Sequence, residues 1–415
     1  MAKSAESGTK SFEDKKKDKK NKRKSEPSVE EKGPDDESSI TDNVRHVDYY
    51  HGLIPKTDAE LVLKKEGDYL LRKTEHLSGV IVLCVSVRTS ESSVKHFVLN
   101  TDDKKMFFIN QDHKEKSVAN LIQWYKNTKT PLSKASNAVL KRSVERAPWT
   151  LNHDAIFIVK KLGHGAFGEV YLAEYVTTKG AEKVAVKTMK GEASRESRNK
   201  FLKEARMMRK YDHRNVVKIL GVAVHEHPLM IVMECCEGGA LLSYLKKNGK
   251  TMPLTGKLRF ATESAEGLAY LEKQQCIHRD IAARNVLLSS KNVCKISDFG
   301  MSDDKAILHD DTLDKVPVKW LAPETLQEKI YSLKSDVWSY GVMVWEIYSN
   351  GAEPYPGLTR LQTRAKIVLT DYRMPMPDET PAEVTKVVAE CWNKAPEKRP
   401  TMTAVHASLK KLYGD

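Results

Sequence analysis

Four short runs between residues 163 and 300 carry side chains that could move a phosphoryl group. In His278-Arg279-Asp280-Ile281-Ala282-Ala283-Arg284-Asn285, Asp280 can accept the proton of a hydroxyl, and Asn285, five residues on, can ligate a metal. Asp298-Phe299-Gly300 supplies the carboxylate that Mg²⁺ needs to bridge β- and γ-phosphate oxygens. Upstream, Gly163-His164-Gly165-Ala166-Phe167-Gly168-Glu169-Val170 spaces its glycines so that backbone N–H groups can approach phosphate without a Cβ in the way. This triplet lies between two strand-like runs, where a dinucleotide fold would need a strand and then a helix. Val184-Ala185-Val186-Lys187 ends the next strand, and a lone Lys there is ordinarily a surface residue. An amphipathic helix follows, however, with Phe201-Leu202-Lys203-Glu204-Ala205, which places Glu204 to hold Lys187 against the α- and β-phosphates of a nucleotide. Any one of these runs alone carries little. Their order, closed by Ala322-Pro323-Glu324, reads as a site for ATP and Mg²⁺.

The elements around them suggest two lobes. Closely spaced strands run from Ile156 through Val232, interrupted by one helix over Ser197 to Lys210. Helical spacing dominates from Ala240 onward, in Lys257 to Lys273, Ser335 to Ser349 and Ala382 to Trp392. Strands first and helices afterwards place a cleft between two layers, a favoured position for a ligand. Before this lies a second α+β pattern, from about residue 46 to 142. It has a short helix over Asp58 to Lys65 and strands at Tyr69 to Arg72, Val80 to Val87, Val94 to Leu99 and Met106 to Ile109. A helix from Val118 to Tyr125 completes it, and residues 143–154 read as a linker to the unit 155–412.

Composition limits the setting. The chain has 415 residues, 40% of them apolar, enough for more than one core. Residues 1–45 hold almost no large apolar side chains and read as a disordered basic tail, with a cationic run from Lys15 to Lys24 suited to an acidic membrane surface or a nuclear import receptor. No aromatics interleave that run, so no specific nucleic acid is expected. The six cysteines follow no CxxC spacing, no apolar stretch approaches the ~18 residues of a membrane span, and residue 2 is Ala rather than the Gly of a myristoylation signal. These features predict a cytoplasmic protein, peripheral at the plasma membrane or nuclear if the tail so directs.

Residues 156 to 412 resemble the protein kinase catalytic domain, and Ala282-Ala283-Arg284 with Pro317-Val318-Lys319-Trp320 resemble its tyrosine-specific branch. The resemblance implies a bilobal fold and transfer of the ATP γ-phosphate to tyrosine in protein substrates. It makes Asp280 the catalytic base and gives Arg284 the task of accepting the longer tyrosine substrate. It assigns Leu162, Gly163, His164, Gly165, Gly168, Val170, Ala185 and Lys187 to the nucleotide pocket, with Met233 behind it and Glu234 and Cys236 offering hinge backbone to adenine. Asn285 and Asp298 become metal ligands, Glu324 and Arg399 a buried ion pair, and Asp336 a brace beneath the catalytic loop. Residues 49 to about 142 resemble an SH2 domain, through Tyr49-Tyr50-His51-Gly52 and Gly67-Asp68-Tyr69-Leu70-Leu71-Arg72-Lys73-Thr74. That implies phosphotyrosine peptides held by a bidentate pair with Arg72, supported by Lys56, Thr74, Ser78 and His96, Lys56 standing where an Arg is common. Trp149-Thr150-Leu151-Asn152-His153-Asp154 is similar to the junction of the Fes/Fer kinases, and the tail stands where those have a membrane-bending half.

One departure bears on regulation. Between Gly300 and Ala322 there is no tyrosine, while Asp303, Asp304, Asp310, Asp311 and Asp314 crowd the segment, Asp303 where relatives have Arg. Either a carboxylate such as Asp310 or Asp311 mimics a phosphate near Arg279, or the segment is acidic because it is solvated, with Thr312 as an alternative phosphorylation position. A phosphotyrosine-binding adaptor with an inert catalytic half is the competing reading of the whole chain. Against it stands the intact set Lys187, Glu204, Asp280, Asn285 and Asp298.

Overall fold

The computed structural model describes residues 43–75, 80–164, 168–189, 194–309 and 317–413. The first domain is a meander of β1 (Asp68–Glu75), β2 (Ile81–Ser90) and β3 (Ser93–Val98), with α1 (Lys56–Val62) and α2 (Val118–Thr128) on opposite faces. Strand alternation sorts the side chains. Tyr69 and Leu71 point into the core that α2 closes with Leu121, Ile122 and Tyr125, whereas Leu70 meets Ala59 and Leu63 on the α1 side. Both faces of β1 are therefore covered, and Asp68 through Lys73 are all buried. By the same alternation Arg72 lies on the α1 side. The packed core starts slightly before the expected residue 46: Val44 is fully buried, and Asn43 Oδ1 accepts the Val118 N–H at 3.1 Å. A short strand β4 (Arg142–Ser143) pairs in parallel with β1.

The second domain has a small lobe built on a sheet of order β8-β9-β7-β6-β5. Its strands are β5 (Ile156–His164), β6 (Gly168–Thr177), β7 (Gly180–Met189), β8 (Ile219–Ala223) and β9 (Met230–Glu234). Helix α3 (Arg195–Arg209) covers it, seating Phe201, Leu202 and Ala205 against Met189, Val222, Leu229 and Ile231. The large lobe is helical: α4 (Leu241–Asn248), α5 (Leu254–Lys273), α6 (Pro323–Glu328), α7 (Leu333–Tyr348), α8 (Arg360–Leu369), α9 (Ala382–Cys391) and α10 (Met402–Tyr413). Within α7 every residue from Ser335 to Tyr348 is buried, so this helix is enclosed all round and the others pack about it. A Ser332/Ser335 capping box starts it. Arg399 and Glu324 form the expected buried pair, two bonds of 2.7 Å each. None of the helices among the described residues is long and apolar enough to cross a membrane.

The expected linker is shared between the domains: Ser143 belongs to β4 and Val144 donates its N–H to the Tyr69 carbonyl at 2.8 Å, while the later part is built into the small lobe. Leu151 lies in the small-lobe core, Thr150 bridges to Val222, and Arg209 at the end of α3 sits 4.5 Å from the centre of the Trp149 ring. The first domain docks onto the same edge. Leu53 N–H donates to the Val224 carbonyl at 2.7 Å and Tyr50 Oη to the His225 carbonyl at 2.8 Å. Arg206 grips Asp58 through two bonds of 2.9 and 2.7 Å, and Arg198 pairs with Glu75. His225, whose pKa is pushed down to about 3 by burial and then by Arg146, is a neutral ring, and its Nε2 takes the Arg146 N–H at 3.0 Å.

Gly52 makes this contact possible. Its φ is +69°, and a Cβ placed there would stand 2.1 Å from the Val224 carbonyl oxygen. Gly52→Ala should therefore separate the domains or strain the backbone, destabilising the chain by roughly 1–3 kcal/mol. A lowered thermal midpoint with faster proteolysis at the 143–154 connector is the expected outcome; an unchanged melt and cleavage rate would count against this docking.

Candidate functional site

The cleft between the lobes is organised by Lys187. Its Nζ donates to both Glu204 carboxylate oxygens, at 2.7 and 2.8 Å, and reaches Asp298 Oδ1 at 3.5 Å. Burial alone would strip this lysine of its proton, but the two carboxylates outweigh that and raise its pKa, so the cation is retained. The pairing requires α3 to lie close to the sheet and Asp298 to face inward. Phe299, buried behind Asp298, holds that orientation between Tyr211 at 5.5 Å and His278 at 5.0 Å, ring centre to ring centre.

The catalytic loop is held from below. Asp336 accepts the backbone N–H of His278 at 2.6 Å and of Arg279 at 2.9 Å, as a brace should, and Arg279 adopts φ +72°. Asp298 likewise takes φ +62°, so two non-glycine residues of the site sit in a conformation that the surrounding bonds must enforce. Asn285 Nδ2 donates to the Asp280 carbonyl at 2.8 Å and to its carboxylate Oδ2 at 2.7 Å. The other carboxylate oxygen of Asp280 takes a bond from Arg284. Arg284 in turn lies 4.4 Å from the centre of the Trp320 ring, which places that ring beside Asp280.

Sequence reasoning missed Glu346. Its carboxylate joins loop and wall, accepting the Ala283 N–H and the Trp320 indole N–H, both at 2.9 Å, and burial pushes its pKa up to about 7. A glutamate inside a helix that otherwise reads as core was the available signal, since a buried carboxyl requires partners.

In the nucleotide pocket, Gly163 has open space where a Cβ would stand, whereas a Cβ on Gly168 would meet the Thr188 carbonyl oxygen at 1.6 Å. The first glycine leaves clearance for a ligand and the last lets two strands approach. Leu162 is exposed at the mouth of the cleft, and Val170 and Ala185 are half-buried on facing strands. Cys236 closes a turn by accepting the Gly239 N–H at 3.0 Å, and Glu234 is fixed by Lys218 N–H and Lys295 Nζ, both at 2.8 Å. Gly165 and the side chain of His164 lie outside the described residues. For a divalent metal the donors are the oxygens of Asn285 and Asp298, hard ligands that suit Mg²⁺. Among the described residues no trio of His, Cys, Asp or Glu gathers to hold a metal. Water and phosphate would have to complete the coordination shell, as Mg²⁺ prefers.

Sequence comparison agrees with this geometry. Residues 156–409 match the family described as protein tyrosine and serine/threonine kinase, and residues 49–125 match the SH2 domain. The chain belongs to the protein kinase family. Within it, the relatives are SH2-bearing tyrosine kinases of the Fer/Fps group. Fer-related kinase 1 of Caenorhabditis elegans is 57% identical over 385 residues, 92% of this chain and 98% of that protein. Rat tyrosine-protein kinase Fer is 40% identical over 365 residues, which span 87% of this chain and 43% of that one. The transforming protein Fps of Fujinami sarcoma virus is 35% identical over 364 residues, 87% and 41% of the two chains.

In this kinase the SH2 domain buries Arg72, 4% exposed, with its Nε donating to Ser86 Oγ at 3.0 Å. Ser86 Oγ contacts His96 Nδ1 at 2.8 Å, and His96 Nε2 faces Glu60 at 3.3 Å, which Lys56 approaches to 3.6 Å. The structure thus links Arg72, His96 and Lys56 through Ser86 and Glu60, two residues with no sequence signal of their own. Thr74 lines the same cavity, while Ser78 lies outside the described residues.

The reading of a phosphate mimic near Arg279 falls on Asp310 and Asp311, and the alternative phosphorylation position on Thr312. Asp310, Asp311 and Thr312 lie outside the described residues, and Arg279 lies 4.1 Å from the centre of the Tyr331 ring and donates to the Met301 carbonyl at 3.2 Å. The acids of this segment that meet α3 are Asp303 and Asp304, paired with Lys203 at 2.8 Å and Lys210 at 2.7 Å. Burial works to raise the pKa of Asp303, but the bond and charge of Lys203 outweigh it and hold it below the ordinary 3.8. The ion pair therefore contributes fully above about pH 4 and is lost as pH falls through the lower folded value. Asp303→Asn should cut peptide turnover about fivefold, the size of one partly exposed pair. The swap Lys203→Asp with Asp303→Lys should restore turnover in a double-mutant cycle, and additive losses would show that the two do not act together.

Proposed function

We propose that this kinase transfers the γ-phosphoryl group of ATP to tyrosine hydroxyls of protein substrates, drawing substrates that already carry phosphotyrosine through its SH2 domain. Support comes chiefly from the convergence of Lys187 and Glu204 of the small lobe with Asp298, Asp280 and Asn285 of the large lobe. Asp280, fixed by Asn285 and Arg284, orients the hydroxyl and takes its proton while the new O–P bond forms and ADP departs. Lys187 holds the α- and β-phosphates in place, and the glycine-rich turn covers them. Asn285 and Asp298 would hold Mg²⁺, which neutralises charge on the phosphate oxygens. The stacked Arg284 and Trp320 offer a flat surface for a phenol ring, where a serine would leave the space beside Asp280 unfilled. The cationic run Lys15–Lys24 adds attraction to acidic surfaces, at the plasma membrane or in the nucleus.

Purified full-length chain with Mg-ATP should phosphorylate tyrosine peptides and leave matched serine peptides unmodified. Asp280→Asn should lower kcat by ~10²–10⁴ while nucleotide affinity stays the same. Removal of the divalent cation by chelation should abolish turnover of the unaltered chain. Equal turnover of both peptides, or a fully active Asp280→Asn chain, would remove this reading.

A further inference from the structure

We propose that the phosphate pocket of the SH2 domain is a two-domain site, in which Arg195 of the kinase helix α3 supplies a second guanidinium to the phosphate that Arg72 holds. The proposal rests on the reading of Arg72 as the phosphotyrosine-binding residue and extends that site across the domain seam.

A cavity of about 90 Å³ opens there. Lys56, Arg72 and Thr74 of the SH2 domain line one side, and Arg195, Arg198 and Asn199 of the first turns of α3 line the other. Arg72 is buried at the cavity wall with only Nε committed to Ser86, and among the described residues no carboxylate forms an ion pair with it. Arg195 stands near enough that, after burial, its charge is among the causes that depress the Arg72 pKa. Two guanidinium groups brought towards one cavity repel each other unless an anion lies between them.

The charge of the ligand explains why one arginine is not enough. A phosphotyrosine carries about −1.5 to −2 at neutral pH, and a single bidentate arginine offers one positive charge. Lys56 is only a partial second, since its ammonium is 3.6 Å from the Glu60 carboxylate. Arg198 is committed to Glu75, a contact that sets the start of α3 against β1. That leaves Arg195, exposed at the first position of α3, to supply the second fork. The N-terminus of this 15-residue helix adds its positive dipole end on the same side.

The test uses the full chain, a fluorescein-labelled peptide bearing one phosphotyrosine, and phenyl phosphate as competitor. Arg72→Ala should abolish binding. Arg195→Ala should weaken both the peptide and phenyl phosphate by roughly tenfold, Arg195→Lys by less, and neither should shift the thermal midpoint because the side chain is outside the core. Lys200→Ala, which removes a cation of the same helix paired with Glu196 at 2.8 Å, should leave affinity unchanged. If Arg72→Ala abolishes binding and Arg195→Ala does not alter it, the SH2 reading stands and the two-domain site falls. A loss in Arg195→Ala for the peptide but not for phenyl phosphate would assign Arg195 to the peptide flanks instead, and an equal loss in Lys200→Ala would reduce the effect to general field; either overturns the proposal. Unchanged binding in Arg72→Ala would overturn the phosphotyrosine reading itself.

Discussion

The structure depends on keeping one charged pair in a place where charge is unfavourable. Lys187 and Glu204 are both nearly excluded from water, and a buried pair is stable only when geometry and further partners offset desolvation. Asp298 provides one such partner from the large lobe. The rest follows from α3, because Glu204 is correctly placed only when that helix is. Four residues either side of Glu204, the helix turns its apolar stripe to the sheet and presents cations almost everywhere else.

Those cations each find a different part of the molecule. Arg198 and Arg206 meet Glu75 and Asp58 of the SH2 domain, Arg209 meets Trp149 of the connector, and Lys203 and Lys210 meet Asp303 and Asp304 beyond Asp298. Spacing makes this possible. Positions 203 and 210 are seven apart and share one face, while 198, 206 and 209 share another. Single pairs of this exposure are worth little, about 0–1 kcal/mol each. Acting on one rigid helix, they restrain the same displacement of Glu204.

How much of this was legible depended on whether the chemistry was contiguous. Asp280 and Asn285 lie within one loop and Asp298-Phe299-Gly300 is a tripeptide, so residue type and spacing sufficed. The element pattern was readable for the same reason: α5, expected over Lys257 to Lys273, spans Leu254–Lys273, and α3, expected over Ser197 to Lys210, spans Arg195–Arg209. Partners far apart in sequence left no trace. Glu346 serves a loop some sixty residues earlier, Ser86 and Glu60 reach Arg72 and His96 only through the sheet, and Lys203 finds Asp303 a hundred residues away. Nor could composition reveal that residues 149–151 pack as part of the small lobe, because a polar connector and a docked one differ only in what they face.

The absence of a tyrosine between Gly300 and Ala322 can then be understood physically. A phosphate added to such a segment acts by bringing negative charge to fixed cations and so ordering the chain that follows Asp298. Here Asp303 and Asp304 bring carboxylates to Lys203 and Lys210 without modification, and the cations they meet sit on the very helix that carries Glu204. A carboxylate holds one charge and lacks the third acceptor oxygen of a phosphate, so each pair is weaker than a phosphorylated one. Two of them, attached to a helix already held by the SH2 domain and the connector, need only supply the remaining restraint. Permanent charges on both sides of α3 thus restrain the helix that carries Glu204.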